Sequence, residues 1–414
     1  MQAWSTPSIP DLPVSDEPGS VRVHDSSTGE LVEVGPRRGT ARLYVCGITP
    51  YDATHMGHAN TYVTFDLLHR VWLDSGLNVN YVQNITDVDD PLLERAEATG
   101  VNWRELADSQ IELFRADMVA LGVLPPTEYI GAVEAIPLVV DAINALPSEL
   151  VYQVPGEHAD WYFAAPEVPG FGTVSNLSEA DQLTFFAERG GDPDRAGKRH
   201  RLDTLVWQQA RPGEPAWPSD RGEGRPGWHI ECTAIANKFL GPAIDVQGGG
   251  SDLAFPHHEM SAAQGKALAG EPFAKSYVHA GMVGLNGEKM SKSKGNLVKV
   301  SEVRADGVDP AAIRLGLLAH HYRTDWSWSD EVLAAAQARL DTWRRAVELP
   351  ATLPADNLLA EVRQALRTDL DAPRALQVVD TWASAALQVP GSDEQAPGHV
   401  AAVVEALLGV DLRR

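Results

Sequence analysis

From residue 46 to residue 58 the chain reads Cys46-Gly47-Ile48-Thr49-Pro50-Tyr51-Asp52-Ala53-Thr54-His55-Met56-Gly57-His58, a thiol and two imidazoles within one strand-to-helix turn. A thiolate there can hold a soft metal. The helix start that follows carries unpaired backbone N–H groups and the positive end of the helix dipole, a ready site for phosphate. His55 and His58 would add two donors to the same anion, although two histidines at a helix start also serve as ordinary caps.

Two further residues extend the metal argument. Cys232 closes Gly224-Arg225-Pro226-Gly227-Trp228-His229-Ile230-Glu231-Cys232, and His257 sits in Phe255-Pro256-His257-His258-Glu259. With Cys46, each falls at the end of a strand or the start of a helix, so one fold could bring all three together. Thiolate plus imidazole favours zinc, one per chain, and three ligands leave a tetrahedral position open for a substrate thiolate. Two buried apolar cysteines and a core histidine remain the plain packing alternative.

Other stretches carry chemistry of a different kind. Gly287-Glu288-Lys289-Met290-Ser291-Lys292-Ser293-Lys294-Gly295-Asn296 gathers ammonium groups between glycines, suited to neutralising charge on transferring phosphates or to a solvated surface. Asn84-Ile85-Thr86-Asp87-Val88-Asp89-Asp90 offers carboxylates for Mg²⁺, for a substrate amine, or simply for capping a helix at Pro91. Gln247-Gly248-Gly249-Gly250-Ser251-Asp252 reads as a loop whose glycines permit close backbone approach. Glu188-Arg189-Gly190-Gly191-Asp192-Pro193 reads as an exposed turn.

The elements that must position these groups follow from periodicity. Short strands at Val21–His24 and Glu30–Val34 suggest an N-terminal arm, residues 1–40. Ala41–Val45 alternates as a strand and Ala59–Ser75 repeats its apolar residues at helical spacing. A strand at Val79–Asn84 and helices at Pro91–Ala98 and Trp103–Leu121 complete a parallel α/β unit with crossover helices over 41–125. Residues 126–200 read as an insertion, with a helix near Gly131–Leu146 and strands at Val151–Val154 and Trp161–Phe163. The α/β pattern resumes over 201–285, with strands expected at Asp203–Trp207 and Ala243–Val246. A lysine-loop region, 286–328, and a helical segment, 329–414, follow.

Composition narrows the partners. A net charge of −23 in 414 residues, with only eight lysines, makes a long nucleic-acid ligand a poor expectation. No apolar run is long enough to span a bilayer, and the first twenty residues lack a secretory pattern, so a cytoplasmic protein is expected. The two cysteines stand far apart and suggest no disulfide framework. No coiled-coil seam is visible, and a monomer is the expectation.

His55-Met56-Gly57-His58 paired with Lys289-Met290-Ser291-Lys292-Ser293 resembles the two signature motifs of class I aminoacyl-tRNA synthetases, and over residues 40–325 the chain resembles cysteinyl-tRNA synthetase. The resemblance implies a Rossmann-like doubly wound parallel sheet with an inserted connective subdomain and a C-terminal helical domain. It implies that His55, His58, Lys289 and Lys292 handle the phosphates of ATP with Mg²⁺. It implies also that Cys46, Cys232 and His257 hold zinc. Cys46, Gly47, Ile48, Thr49, Thr61, Asn84, Ile85, Thr86 and Trp228 would line the aminoacyl pocket, and Gly250, Ser251, Asp252 and Val283 would meet the adenosine.

Departures matter as much. The synthetases continue with a second glutamate where this chain has His257-His258-Glu259-Met260-Ser261, Pro91 replaces a customary lysine, and no basic anticodon-reading domain follows Trp328. In these respects the chain is similar to the synthetase-derived cysteine ligases of mycothiol biosynthesis. That similarity implies ligation of L-cysteine to the amine of glucosaminyl-inositol through a cysteinyl-adenylate, with release of AMP and pyrophosphate. A shortened cysteinyl-tRNA synthetase and a non-catalytic zinc-containing binding protein are the alternatives.

Overall fold

Five parallel strands form the centre of the chain, in the spatial order Tyr277–Ala280, Val246–Gly250, Thr40–Val45, Asn78–Ile85, Glu128–Gly131. The computed structural model describes residues 1–13, 19–290 and 295–413, without the Lys289 side chain. The chain builds outward from Thr40–Val45 on one side and then returns to lay Val246–Gly250 against its other side. This is doubly wound topology, with its switch point between those two strands. Helix Met56–Asp74 follows the first of them, and Trp228–Leu240 precedes the second.

Most elements form where periodicity places them, with ends shifted by one to three residues. Larger differences occur too: the edge strand Tyr277–Ala280 has no counterpart among the expected elements, and three other stretches differ. The strand expected at Ala243–Val246 runs instead over Val246–Gly250, taking in the glycines read as a loop. A Cβ at Gly248 would lie 2.3 Å from the Phe65 ring, so the strand uses glycine because the Met56–Asp74 helix packs on it at close range. Glu128–Gly131, inside the stretch read as an insertion, is the edge strand of the central sheet; four residues leading into a helix gave too short a pattern. Glu179–Glu188, read only as a polar segment, is a helix capped by the Ser178 side chain.

Between the halves of the sheet, strands Val151–Gln153, Trp161–Phe163, Thr204–Gln209 and Gly224–Pro226 form an antiparallel sheet of their own. Helices Asp330–Val347, Leu358–Arg367, Ala372–Gln388 and Ala396–Leu408 make the C-terminal region. One buried ionic hub ties that region to the histidine helix. Asp66 accepts from Arg70 at 2.7 Å, from Arg314, and from the Leu124 amide at 2.7 Å. Arg70 donates to the carbonyls of Glu405, Ala406 and Gly122, and Arg314 to those of Leu408 and Leu121. Among the described residues, no helix is long and apolar enough to cross a membrane.

Candidate active site

The ligand atoms of Cys46, Cys232 and His257 lie within 4.8 Å of one another, and all three residues are buried. Cys46 follows directly on Thr40–Val45, its amide donating to the Gly248 carbonyl at 3.1 Å across the switch point. Cys232 lies in the first turns of Trp228–Leu240. His257 comes from the turn Ala254–His258 that follows Val246–Gly250. Its Nδ1 is 2.9 Å from His229 Nδ1, while its Nε2 is buried with no hydrogen-bond partner. A buried orphan nitrogen beside two thiols is a donor set with a missing acceptor, and it fits a thiophilic metal. Trp228 stacks on the His257 ring at 4.2 Å and 22°.

Sequence reasoning missed the layer behind these ligands. His258 Nε2 lies 3.3 Å from Cys46 Sγ, its Nδ1 2.8 Å from His279 Nε2, and His279 Nδ1 2.7 Å from Ser26 Oγ. The doubled histidine after Pro256 was the available signal. Burial, then the neighbouring imidazoles, hold His258 and His229 well below the usual imidazole range, so both are neutral and can orient the ligands they touch. Burial also pushes the Cys46 thiol up. At Cys232 burial acts the same way, but Cys46 and His257 beside it bring its thiol well below the usual range. Ser261, standing where the synthetase pattern has its second glutamate, turns its hydroxyl toward the His229 carbonyl at 3.5 Å. Glu259 accepts from the amides of Gly172, Val174 and Ser175 and so fastens the antiparallel region to the helix after His257.

Several of the residues expected to line an aminoacyl pocket meet at Asn84. Its Oδ1 accepts from Tyr44 Oη at 3.0 Å and from the Gly47 amide at 2.8 Å, and its Nδ2 donates to Thr86 Oγ1 at 3.2 Å. A Cβ at Gly47 would stand 1.6 Å from the Asn84 carbonyl, which explains the glycine. The Thr86 amide donates to the Ile48 carbonyl at 3.0 Å; Ile48 and Ile85 are buried, and Thr49 is half-buried beside them. Thr61, one turn into the histidine helix, donates to the Gly57 carbonyl and lies near Gly250, where a Cβ would come 3.8 Å from its hydroxyl. Ser251 and Asp252 continue from Gly250 in a short 3₁₀ turn. Val283 is buried in a separate strand, Val283–Leu285, paired with Trp326–Trp328.

His55 caps the helix, its Nδ1 accepting from the amides of Gly57 at 3.1 Å and His58 at 3.4 Å. An imidazole that accepts at Nδ1 carries its proton on Nε2 when neutral, so the cap and the donor roles are compatible. The His58 ring stacks on His55 at 3.7 Å. Lys292 and the Lys289 side chain lie outside the described residues, but the chain on either side is fixed. Glu288–Lys289 pairs with Val283–Leu285, the Met56 amide donates to the Val298 carbonyl, and the Val300 amide donates to the Thr54 carbonyl. Backbone hydrogen bonds thus tie the histidine motif to the chain just beyond the lysine motif.

Glu188–Pro193 is more than an exposed turn. Arg189 Nη1 donates to the Asp252 carbonyl at 2.6 Å and to the Phe255 carbonyl, clamping the segment between the proposed adenosine contacts and His257. Asp192 accepts from Tyr162 and from the buried Lys198. Arg189→Ala, losing two bonds worth about 1 kcal/mol each, is expected to raise the KM for ATP by roughly five- to thirtyfold with a smaller change in kcat. Steady-state kinetics with ATP varied would show it, and an unchanged KM would sink the clamp.

Residues 33–338 match the family model for the class I (C) tRNA synthetase catalytic domain. The chain is 59% identical to the L-cysteine:1D-myo-inositol 2-amino-2-deoxy-alpha-D-glucopyranoside ligase of Thermomonospora curvata, with all of both chains covered. The proteins of that name from Kineococcus radiotolerans and Streptomyces coelicolor are each 58% identical, again over all of both chains. The chain belongs to this ligase family. The ligase fold is also that of the larger class. A Mycobacterium tuberculosis methionyl-tRNA synthetase in complex with methionyl-adenylate aligns with a TM-score of 0.60 at 15% identity, covering 89% of each chain. The LeuRS–tRNA–LeuAMS ternary complex of Agrobacterium radiobacter K84 aligns at 0.63 and 12% identity, covering 91% of this chain and 84% of that one.

Proposed function

We propose that the chain joins L-cysteine to the amine of glucosaminyl-inositol at the expense of ATP, in two steps at one site. In the first, a carboxylate oxygen of cysteine attacks the α-phosphorus, the bond to the β-phosphate oxygen breaks, and pyrophosphate leaves. In the second, the sugar nitrogen bonds to the activated carbonyl carbon, the carbon–oxygen bond to AMP breaks, and the nitrogen gives up a proton. The observation that carries this reading is the meeting of a Cys/Cys/His cluster with a phosphate-ready helix start at the switch point.

Cys46, Cys232 and His257 would hold zinc, which when bound favours a substrate thiol as its thiolate and disfavours the harder, less acidic hydroxyl of serine. Trp228 and the Asn84 group would orient the aminoacyl portion. Gly250, Ser251, Asp252 and Val283 would receive the adenosine. His55 Nε2, His58 and the amides at the helix start would bind the phosphates of ATP, which arrives with Mg²⁺, and Lys289 and Lys292 would steady the departing pyrophosphate. A soluble, cytoplasmic monomer is the form we propose.

AMP release from ATP and cysteine, measured in parallel with glucosaminyl-inositol or with tRNA and followed by the mass of the thiol product, tests the reading. An amide formed with the amino sugar and not with tRNA is expected. Acceptor-dependent AMP with tRNA alone would overturn it.

A further inference from the structure

Helix Trp103–Ala120 contributes none of the residues proposed to touch ATP, cysteine or metal, yet three of its side chains hold the elements that carry them. Gln110 accepts at Oε1 from the Ala53 amide at 3.0 Å, two residues before His55. Phe114 packs edge-on against Tyr62 of helix Met56–Asp74, with ring centroids 5.0 Å apart. Asp117, 0% exposed, accepts at Oδ1 from Arg304 Nη1 at 2.7 Å. Positions 110, 114 and 117 lie about one and about two turns apart, so the three side chains share one face of the helix.

Arg304 carries the last of these contacts back to the histidine turn. It belongs to helix Val300–Ala305, which continues from residues 298–300, and that stretch runs antiparallel to residues 54–56 with Lys299 opposite His55. The Met56 amide donates to the Val298 carbonyl and the Val300 amide to the Thr54 carbonyl, each at 2.9 Å, one bond on either side of His55. His55 is thus backed by residues 298–300, and Asp117 holds the helix that follows them through Arg304. Lys299 and Arg95 also approach Asp52 in the same turn, but at 3.9 and 3.7 Å and from partly exposed side chains, so they hold it more loosely.

The helix has its own anchorage. Ile111, Phe114 and Met118 are buried in the main core and fix it there by apolar packing. The two polar contacts therefore act outward from a fixed support, and a charge-assisted hydrogen bond to a buried carboxylate sets direction as well as distance.

We propose that Gln110 and Asp117 are positioning residues for adenylate formation: Gln110 sets the turn before His55, and Asp117, through Arg304, sets the stretch behind it. The proposal rests on the proposed function, in which His55 and His58 meet the phosphates of ATP, and adds to it the groups that aim them. Pyrophosphate leaves at the end of the first half-reaction. A misaimed His55 therefore slows that half and spares the transfer of cysteine to the amine.

The test separates the two halves in the zinc-loaded full chain. Gln110→Met removes the acceptor and keeps the length of the side chain, and Arg304→Met removes the donor from a side chain that is 31% exposed. Either is expected to slow cysteine-dependent ATP–pyrophosphate exchange at saturating substrates by roughly ten- to a hundredfold, the scale set by a displacement of about 1 Å. The KM for cysteine, and single-turnover transfer from isolated enzyme-bound cysteinyl-adenylate to glucosaminyl-inositol, are expected to stay within about twofold of wild type. A general loss of structure would move all three. Arg304→Lys, which keeps a cation for Asp117, is expected to recover most of the lost rate. Asp117→Asn combined with Arg304→Met is expected to be no slower than Arg304→Met alone. Transfer falling in step with exchange would overturn the proposal, as would exchange within about twofold of wild type in either single variant. So would an Arg304→Lys enzyme as slow as Arg304→Met, or a double variant in which the two losses multiply. If Asp117→Asn does not fold, the Gln110 and Arg304 variants carry the test. Wild-type enzyme that shows no cysteine-dependent exchange at all would instead overturn the function on which the proposal rests.

Discussion

Replacing Cys232 with alanine is expected to strip the purified enzyme of zinc and to cut cysteine-dependent ATP–pyrophosphate exchange by roughly a thousandfold, beyond the ten- to hundredfold typical of outer-layer partners of a metal. The reason is geometric. Cys46, Cys232 and His257 stand within 4.8 Å of one another, Ser261 faces the His229 carbonyl, and Glu259 is held by backbone amides of the antiparallel region. Neither Ser261 nor Glu259 is placed to take over a ligand's position. His258→Ala, which leaves the three ligands and removes only the imidazole 3.3 Å behind Cys46, should fall in the smaller range. Elemental analysis of the protein gives the metal content, and exchange with serine in place of cysteine gives the selectivity. A Cys232→Ala enzyme with full zinc and wild-type exchange would remove Cys232 from the metal site.

Replacing Asp66 with alanine is expected to cost about 3–5 kcal/mol of stability, the range for breaking a buried ionic group from one side. Arg70 and Arg314 would be left as two buried cations whose remaining partners are carbonyl oxygens. Denaturant unfolding would show it as a lower midpoint with little change in slope, and a loss below about 1 kcal/mol would mean that the hub is not charged as drawn. The pH dependence has a definite sign. Burial alone would raise the Asp66 carboxyl, but Arg70 and Arg314 outweigh it and the folded value lies below the usual one. A depressed carboxylate contributes stability that is fully present above the unfolded value of about 3.9 and is lost as the pH falls through the folded value. The wild type should therefore lose more stability than Asp66→Ala between about pH 5 and pH 2.

The sequence was most readable where residue type alone limits the chemistry. Two cysteines and a histidine at element ends suffice to suggest a metal, and the structure gathers those three. The histidine pair before an apolar helical repeat likewise forms a helix start, with the added detail that His55 is itself the cap. Reading failed where a local pattern had a distant cause. Gly248 looked like a loop residue because its constraint is Phe65, almost two hundred positions earlier. Glu128–Gly131 was too short to show a period, and only its pairing with Asn78–Ile85 makes it a strand. Arg189 shows in the sequence only as part of a turn, and Asp66, Arg314 and His279 give no sequence signal at all, since what each does depends on a partner from another part of the chain.

The Cys46, Cys232 and His257 cluster also sets an order of events during synthesis. A zinc clip made of two neighbouring cysteines can load as soon as it leaves the ribosome, and can help a short segment to fold. Here the first ligand waits for roughly two hundred further residues before the third exists, and the three meet only when Val246–Gly250 has docked against Thr40–Val45. Nascent chains shorter than about 260 residues cannot close the site, so capture of the proposed metal would be tied to completion of the sheet and would come late. The zinc content of a preparation would then count the molecules whose central sheet has finished assembling.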